Sequence, residues 1–375
     1  MVLASAASGS RVRREEERWV IGSSVQKRGA KRVTTHDVAQ RAGVSQPTVS
    51  LVLSNNATAR VAADTRERVI RAAQELGYYP NVIARALARR RSYAIGIIVP
   101  DLRNPFFADV VSGAERVAAE AGYAVLLCET RESPRDRHLD ALLERQVDGV
   151  MVDAIGAAYL SDRMLEDVNL VLIDEPPAKW PGVASDAFGA GALAADHLLA
   201  LGHEQFGFLG PATNVHAIRM RERGFTKTLR DKGIALTSAN LRRIPATAQG
   251  GHEGMRSLLG LKLRPTAVFC ANDLVAVGAI KACHEARVNV PADISIVGCD
   301  DVEIASLITP ELTTVAIPAR ELGARAARML LRAIQGDDAE RKGEARAPRL
   351  LAPKLIIRGT SAPPREREPK EQVRK

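Results

Sequence analysis

From Ala94 onward, seven short runs rich in β-branched and aliphatic residues recur, with longer amphipathic stretches between them. The runs are AIGIIVP, AVLLCET, GVMVDA, LVLIDE, FGFLGP, AVFCAN and ISIVGC. Apolar runs of this length read as buried strands, and the stretches between them, such as residues 107–121 and 189–201, read as helices. Strand–helix alternation requires parallel sheets with helices on both faces. Open sheets of this kind hold ligands beyond the carboxyl ends of their strands. Candidate pocket residues therefore follow strands: residues 101–107 after AIGIIVP, Asn272 and Asp273 after AVFCA, and Asp300 after ISIVGC.

At 375 residues the chain exceeds the roughly 250–300 at which single cores stop growing, so a second domain is expected. The segment VTTHDVAQRAGVSQPTVSLVLSN, residues 33–55, supplies it. Thr34 can cap a first helix, with Asp37 three residues on to reach back. Val38, Ala39 and Ala42 share one face, and Gly43 can take the left-handed conformation that ends a helix. Val44 fills the corner and Ser45 caps a second helix, whose first turn tolerates Pro47. Val49, Val52 and Leu53 then face inward, leaving Gln46, Pro47, Ser50 and Leu51 outward. A third helix over residues 65–76 turns Val69, Ala72, Ala73 and Leu76 inward and ends at Gly77. Three small helices around one tight turn make a helix-turn-helix module; the plainer alternative is a generic helical hairpin. Charge favours the former. Residues 1–92 carry 17 Lys/Arg against 7 Asp/Glu, whereas residues 93–375 carry 36 against 37. A polyanion partner for the first quarter follows, with a near-neutral body behind it.

Other classes find little support. Cys128, Cys270, Cys283 and Cys299 have no ligand spacing and read as reduced, mostly buried thiols. The opening MVLASAASGSRVRREEERWV has no apolar signal region, and no run approaches the ~18 apolar residues of a membrane span, so a cytoplasmic protein without membrane attachment is expected. His203-Glu204 and His252-Glu253 lack the second His of a zinc-protease helix. There is no GxSxG, Walker A or GxGxxG sequence. The expectation is therefore no catalysis, no metal and no cofactor.

VTTHDVAQRAGVSQPTVSLVL, followed by TRERVIRAAQELGYYPNVIARAL, resembles the DNA-binding head of the LacI/GalR family of bacterial transcription regulators. The likeness continues through SYAIGIIVPDLRNPFFADVVSGAERVAAEAGYAVLLCET and DISIVGCDDVEIASLITPELTTVAIP, so that it covers about residues 33–361. The resemblance implies an all-α helix-turn-helix head joined to an α/β, periplasmic-binding-protein-like sensor of two doubly wound parallel-sheet subdomains. The boundaries expected are a disordered basic extension over 1–32, the head over 33–79, a hinge helix or linker over 80–92, the sensor over 93–361, and a disordered charged tail over 362–375. Within the sensor, one subdomain takes in 93–188 plus 318–335, the other 189–317 plus 350–360.

The family likeness also assigns roles. The second helix would enter the major groove with Gln46, Pro47 and Leu51 on base edges, and Thr48 and Ser50 would serve phosphates. Gln46 suits adenine. Leu51 stands where relatives commonly carry arginine, so a thymine methyl or weak preference is expected there. Ala84 and Leu87 would form the hinge that opens a minor-groove step, the alternative being a plain tether. Phe106, Phe107, Arg221, Asn272 and Asp300 would contact an effector, with Asp153 and Asp186 as secondary candidates. The partners implied are double-stranded DNA with a pseudo-palindromic operator, a second copy of the chain, and a small molecule. A sugar or sugar acid fits the pocket chemistry, with a purine or another metabolite as the alternative. A competing reading is a solute-binding receptor without DNA activity, which would leave the basic head unexplained.

Overall fold

A computed structural model describes residues 33–53, 61–78, 91–130, 135–153, 168–176, 180–211, 215–336 and 350–365. The extension over 1–32, the hinge residues Ala84 and Leu87, and residues 366–375 lie outside the described residues. Two compact units divide between Arg85 and Ala86.

The first unit holds α1 (Thr35–Ala42), α2 (Gln46–Leu53) and α3 (Ala63–Leu76). Thr34 and Asp37 form a reciprocal capping box: Asp37 N–H donates to Thr34 Oγ1 at 3.4 Å, and Thr34 N–H to Asp37 Oδ2 at 2.7 Å. Gly43 closes α1 at φ 66°. Its amide and that of Val44 reach back to Gln40 O and Ala39 O, the left-handed stop that a glycine adopts without steric cost. Ser45 Oγ accepts from Thr48 N–H at 3.3 Å and so starts α2. Val38, Ala39, Ala42, Val49, Val52, Val69, Ala72, Ala73 and Tyr78 form one small core. The third helix begins two residues earlier than the expected 65, because Ala62 and Ala63 already take up helical bonding with Arg66 N–H donating to Ala62 O.

The second unit contains two sheets. Strands β1 (Ala94–Val99), β2 (Ala124–Glu129), β3 (Gly149–Asp153), β4 (Leu170–Ile173) and β5 (Gly182–Val183) form an all-parallel sheet in the order β2-β1-β3-β4-β5. Strands β6 (Phe206–Gly210), β7 (Leu241–Arg243), β8 (Ala267–Cys270), β9 (Ser295–Asp300), β10 (Thr313–Ala316) and β11 (Lys354–Ile356) form the other, in the order β11-β10-β9-β8-β6-β7. Only β11 runs antiparallel in this second sheet.

Side-chain alternation splits each sheet between two apolar layers. In the first, Ile95, Ile97, Met151, Val171 and Ile173 meet α4 (Pro105–Glu120) and α11 (Ala319–Gln335). Ile98, Val150, Val152, Leu170 and Leu172 meet Leu139 and Leu142 of α5 (Arg135–Glu144). In the second, Phe206, Phe208, Phe269 and Val297 face α6 (Ala187–Ala200) and α7 (His216–Asp231). Leu209, Val268, Cys270 and Ile296 face α8 (Ala248–Leu259) and α9 (Asp273–Glu285), with the short α10 (Ile304–Leu307) adding Ala305 to the same layer. The chain thus returns to the first sheet for α11 and to the second for β11.

Each of the three tightest helix pairs closes through opposed glycines. A Cβ on Gly191 of α6 would lie 1.9 Å from Arg221 O of α7, and one on Gly224 would lie 2.0 Å from Phe188 O. Gly113 and Gly323 do the same for α4 and α11, and Gly251 and Gly278 for α8 and α9. No side chain can stand at these crossings, so the backbones touch.

The charged tail was expected from residue 362, but the ordered chain runs further. Ala362 O accepts from Ser295 Oγ at 2.9 Å and lies 3.0 Å from His203 Nε2, while Ala362 N–H donates to Ser295 Oγ at 3.0 Å. Thr360 is fully buried and bonds Ile296 O and Thr313 N. Polar side chains at the strand starts, unseen as partners in the sequence, hold this segment down.

Candidate nucleic-acid interface and effector cleft

On the head, Gln46, Pro47, Ser50 and Leu51 are exposed, and Leu51 is 42% accessible. Thr48 is half-buried, with its hydroxyl 2.9 Å from Ser45 Oγ. Gln46 Nε2 lies 3.1 Å from His36 Nδ1, a contact that steadies the amide across the turn. The arrangement follows directly from the burial of Val49 and Val52, since residues on the opposite side of a two-turn helix must face water. Helix α2 therefore presents one amide, one ring and one isobutyl group on a surface without acidic side chains of its own.

In the sensor, Arg221 projects from α7 and Asp300 ends β9. Their side chains are each 4% exposed, and Arg221 Nη1 stands 2.9 Å from Asp300 Oδ1. That proximity is an ion pair without good hydrogen-bond alignment. Arg221 Nη1 gives its hydrogen to Ala271 O at 2.7 Å, and both Arg221 Nε and Asp300 Oδ1 are buried without a hydrogen-bond partner. Burial pushes the Asp300 carboxyl up to about 6, against the pull of Arg221. Burial by itself would lower Arg221; the charges of Asp300 and Asp174 outweigh it and raise the guanidinium above its ordinary value. The pair has fixed charge and open hydrogen-bonding capacity, which a buried site retains only at a cost.

The first subdomain answers with Asp174, at the end of β4, whose charge is felt by both Arg221 and Asp300. Asp174 is buried and accepts from Ser185 N–H at 3.0 Å and Ser185 Oγ at 2.7 Å. Asp174, Asp300 and Asp301 have φ values of 54°, 117° and 57°, sparsely populated for non-glycine residues. Strain of this kind gathers where a structure holds groups for a purpose. Glu175, raised by burial and then by Asp174, lies within the field of Arg219, and His216 is lowered by burial beside the same charges.

The remaining expected contacts are distributed unevenly. Phe106 and Phe107 make an edge-to-face pair with centroids 5.4 Å apart, but Phe106 is 5% exposed and belongs to the core, leaving half-buried Phe107 as the accessible ring. Asn272 caps α9 by accepting from Val275 N–H at 2.9 Å, which leaves its Nδ2 for Ala246 O at 3.4 Å. Asp186 caps α6, accepting from Gly189 N–H at 2.8 Å. Asp153 is buried at the end of β3. Asp174 and Ser185 were missed, although IDE after LVL carries the same strand-then-acid signal that marked Asp300. A cavity of about 890 Å³ opens at the amino-terminal edge of the second sheet beside Lys232, Leu236 and Leu263, away from this site. Among the described residues, no group of His, Cys, Asp or Glu could hold a metal ion, and no helix is long and apolar enough to cross a membrane.

Residues 34–81 match the family described as bacterial regulatory proteins, lacI family, and residues 195–361 match a periplasmic binding protein-like domain. The HTH-type transcriptional repressor PurR of Mannheimia succiniciproducens is 34% identical over 334 residues, covering 87% of this chain and 97% of that protein. The HTH-type transcriptional repressor CytR of Escherichia coli K12 is 33% identical over 336 residues, covering 88% and 96%. Among solved structures, the lac repressor dimer bound to operator and the anti-inducer ONPF superposes with a TM-score of 0.77 at 31% identity, over 88% of this chain and 100% of that one. A CelR–cellobiose complex gives 0.64 at 28% identity, with the same coverage. With a helix-turn-helix head, a two-sheet sensor and full-length repressor relatives, the chain belongs to the lacI family of DNA-binding transcriptional regulators.

Proposed function

We propose that this regulator is a repressor whose operator affinity is set by a sugar or sugar derivative bound between Arg221, Asp300, Asp174 and Phe107. The observation that carries the reading is the buried Arg221–Asp300 ion pair, in which Arg221 Nε and Asp300 Oδ1 make no well-aligned hydrogen bond within the protein. A hydroxyl both donates and accepts, so two neighbouring hydroxyls would satisfy both atoms at once. The exposed part of Phe107 offers an apolar face to a sugar ring. A ligand alters DNA affinity only by favouring one subdomain arrangement over another, and Asp174 from one sheet beside Asp300 from the other supplies that difference. A homodimer in the cytoplasm, each head on one half of a pseudo-palindromic operator, completes the proposal. Asn272 and Asp186 act chiefly as caps that fix the cleft walls.

The test is a thermal-shift screen of pentoses, hexoses, sugar acids and nucleosides on the full chain, paired with mobility shifts on a palindromic oligonucleotide library. A ligand at 100 times its Kd should stabilise the protein by about 2.7 kcal/mol. Operator affinity should fall steeply with salt. A nucleoside shift with no sugar shift would replace the carbohydrate reading. No shift from any compound, together with salt-dependent operator binding, would leave a regulator without a small-molecule effector of these classes.

A further inference from the structure

Asp273 has no part in the site assigned above, yet it is 1% exposed and both of its oxygens are engaged. It opens α9 directly after the cap Asn272. Thr314 Oγ1 donates to its Oδ1 at 2.5 Å, and Val302 N–H donates to its Oδ2 at 2.9 Å. Val302 lies two residues beyond Asp300, across the turn in which Asp300 and Asp301 both take positive φ. Consecutive non-glycine residues there do not hold their shape unaided. The adjoining strand leaves room for the carboxyl: a Cβ on Gly298 would come within 2.3 Å of Asp273 Oδ1. On the other side, Arg358 Nη2 donates to Asp301 Oδ1 at 2.7 Å, and its Nη1 is fixed on Leu312 O at 2.9 Å.

We infer that Asp273 is a positioning residue: with Gly298 and Arg358 it straps the strained Asp300–Asp301 turn and so sets the Asp300 carboxylate opposite Arg221. The inference rests on the proposed cleft for its purpose, though not for its geometry. Burial, and then the charge of Asp300, push the Asp273 carboxyl up to about 8.

Hydrogen–deuterium exchange on the full chain tests this without any ligand. In Asp273→Ala, amides of residues 300–303 should exchange roughly tenfold faster while β8 and β6 keep their protection. Asp273→Asn should stay within about threefold of wild type, because an amide can accept from Val302 and donate to Thr314. Gly298→Ala should reproduce the alanine phenotype by displacing the carboxyl. If Asp273→Ala unfolds, Thr314→Val removes one arm of the strap and should loosen the same four residues. Unchanged exchange over 300–303, or loosening spread equally across the sheet, overturns the positioning role. D-ribose is then added as a probe to wild type and Asp273→Asn. Local loosening with no ribose response in either keeps the strap and counts only against ribose as the sugar bound in the cleft.

Discussion

The head and the cleft handle polar groups in opposite ways. On α2, Gln46, Ser50 and Leu51 stand in water over a core of valines and alanines, and little is strained. In the cleft, Arg221, Asp300 and Asp174 are buried, the first two incompletely hydrogen-bonded, on backbone that twice departs from ordinary φ. A DNA-reading surface needs shape and free side chains, because the duplex arrives with its own ordered groups. A small-molecule site needs groups held ready at a cost in stability. Folding energy and recognition are thus separable in the head and intertwined in the cleft.

The largest test of that contrast is Arg221→Ala, which leaves Asp300 buried and uncompensated. Denaturant unfolding should show the sensor destabilised by about 3–5 kcal/mol. Arg221→Met with Asp300→Leu should recover most of that loss, since the paired charges are replaced together. If the single variant unfolds like wild type, the buried pair is not the strained element described above. Changes on α2 should instead leave stability within about 0.5 kcal/mol and act on DNA. Binding-site selection with Leu51→Arg should shift one half-site position to guanine, and Gln46→Ala should lose about 1–3 kcal/mol of discrimination at another. Strict guanine preference in the wild type would refute the assignment of Leu51.

The capping box sharpens the head's side of the comparison. Thr34→Ala removes a local bond and should cost about 1 kcal/mol of head stability, read by thermal unfolding. The smallest effect concerns pH. His203 is buried against Thr266, Ser295 and Ala362, and burial lowers its pKa from the ordinary histidine value. The unfolded chain then takes up a proton that the folded chain refuses, so the stabilisation is complete above about pH 6.5 and declines as pH falls below it. Asp273 and Asp300, raised by burial, pull stability the other way as pH falls, so the test is a difference: between pH 7.5 and 5.5 the melting temperature of wild type should fall relative to that of His203→Gln.

How much could be read in advance follows the same division. The Thr34–Asp37 box, the Gly43 stop and the outward set on α2 depend on residues within one turn of each other, and sequence spacing determines them. The seven strand runs were legible for the same reason, and the family likeness implied strand near 350–360, where β11 lies, whereas the short β5, β7 and β10 owe their pairing to the sheet. Arg221 and Asp300 were named, but their 2.9 Å approach depends on α7 lying against α6 through Gly191. Asp174 escaped notice because its partner Ser185 is 11 positions away and β5 must first pair with β4 to bring them together. Asn272 looks the same in sequence whether it caps a helix or faces a ligand.

The glycine-lined crossings have a mechanical corollary. Two rods whose backbones interlock cannot slide past one another without first separating, so α4 with α11 and α6 with α7 each behave as a single beam. Any relative motion of the two sheets must then be absorbed where the strand path passes between them, near residues 184–187 and 316–319 and at the bridge joining Ser185 to Leu351. Those few joints are where flexure between the two sheets would concentrate.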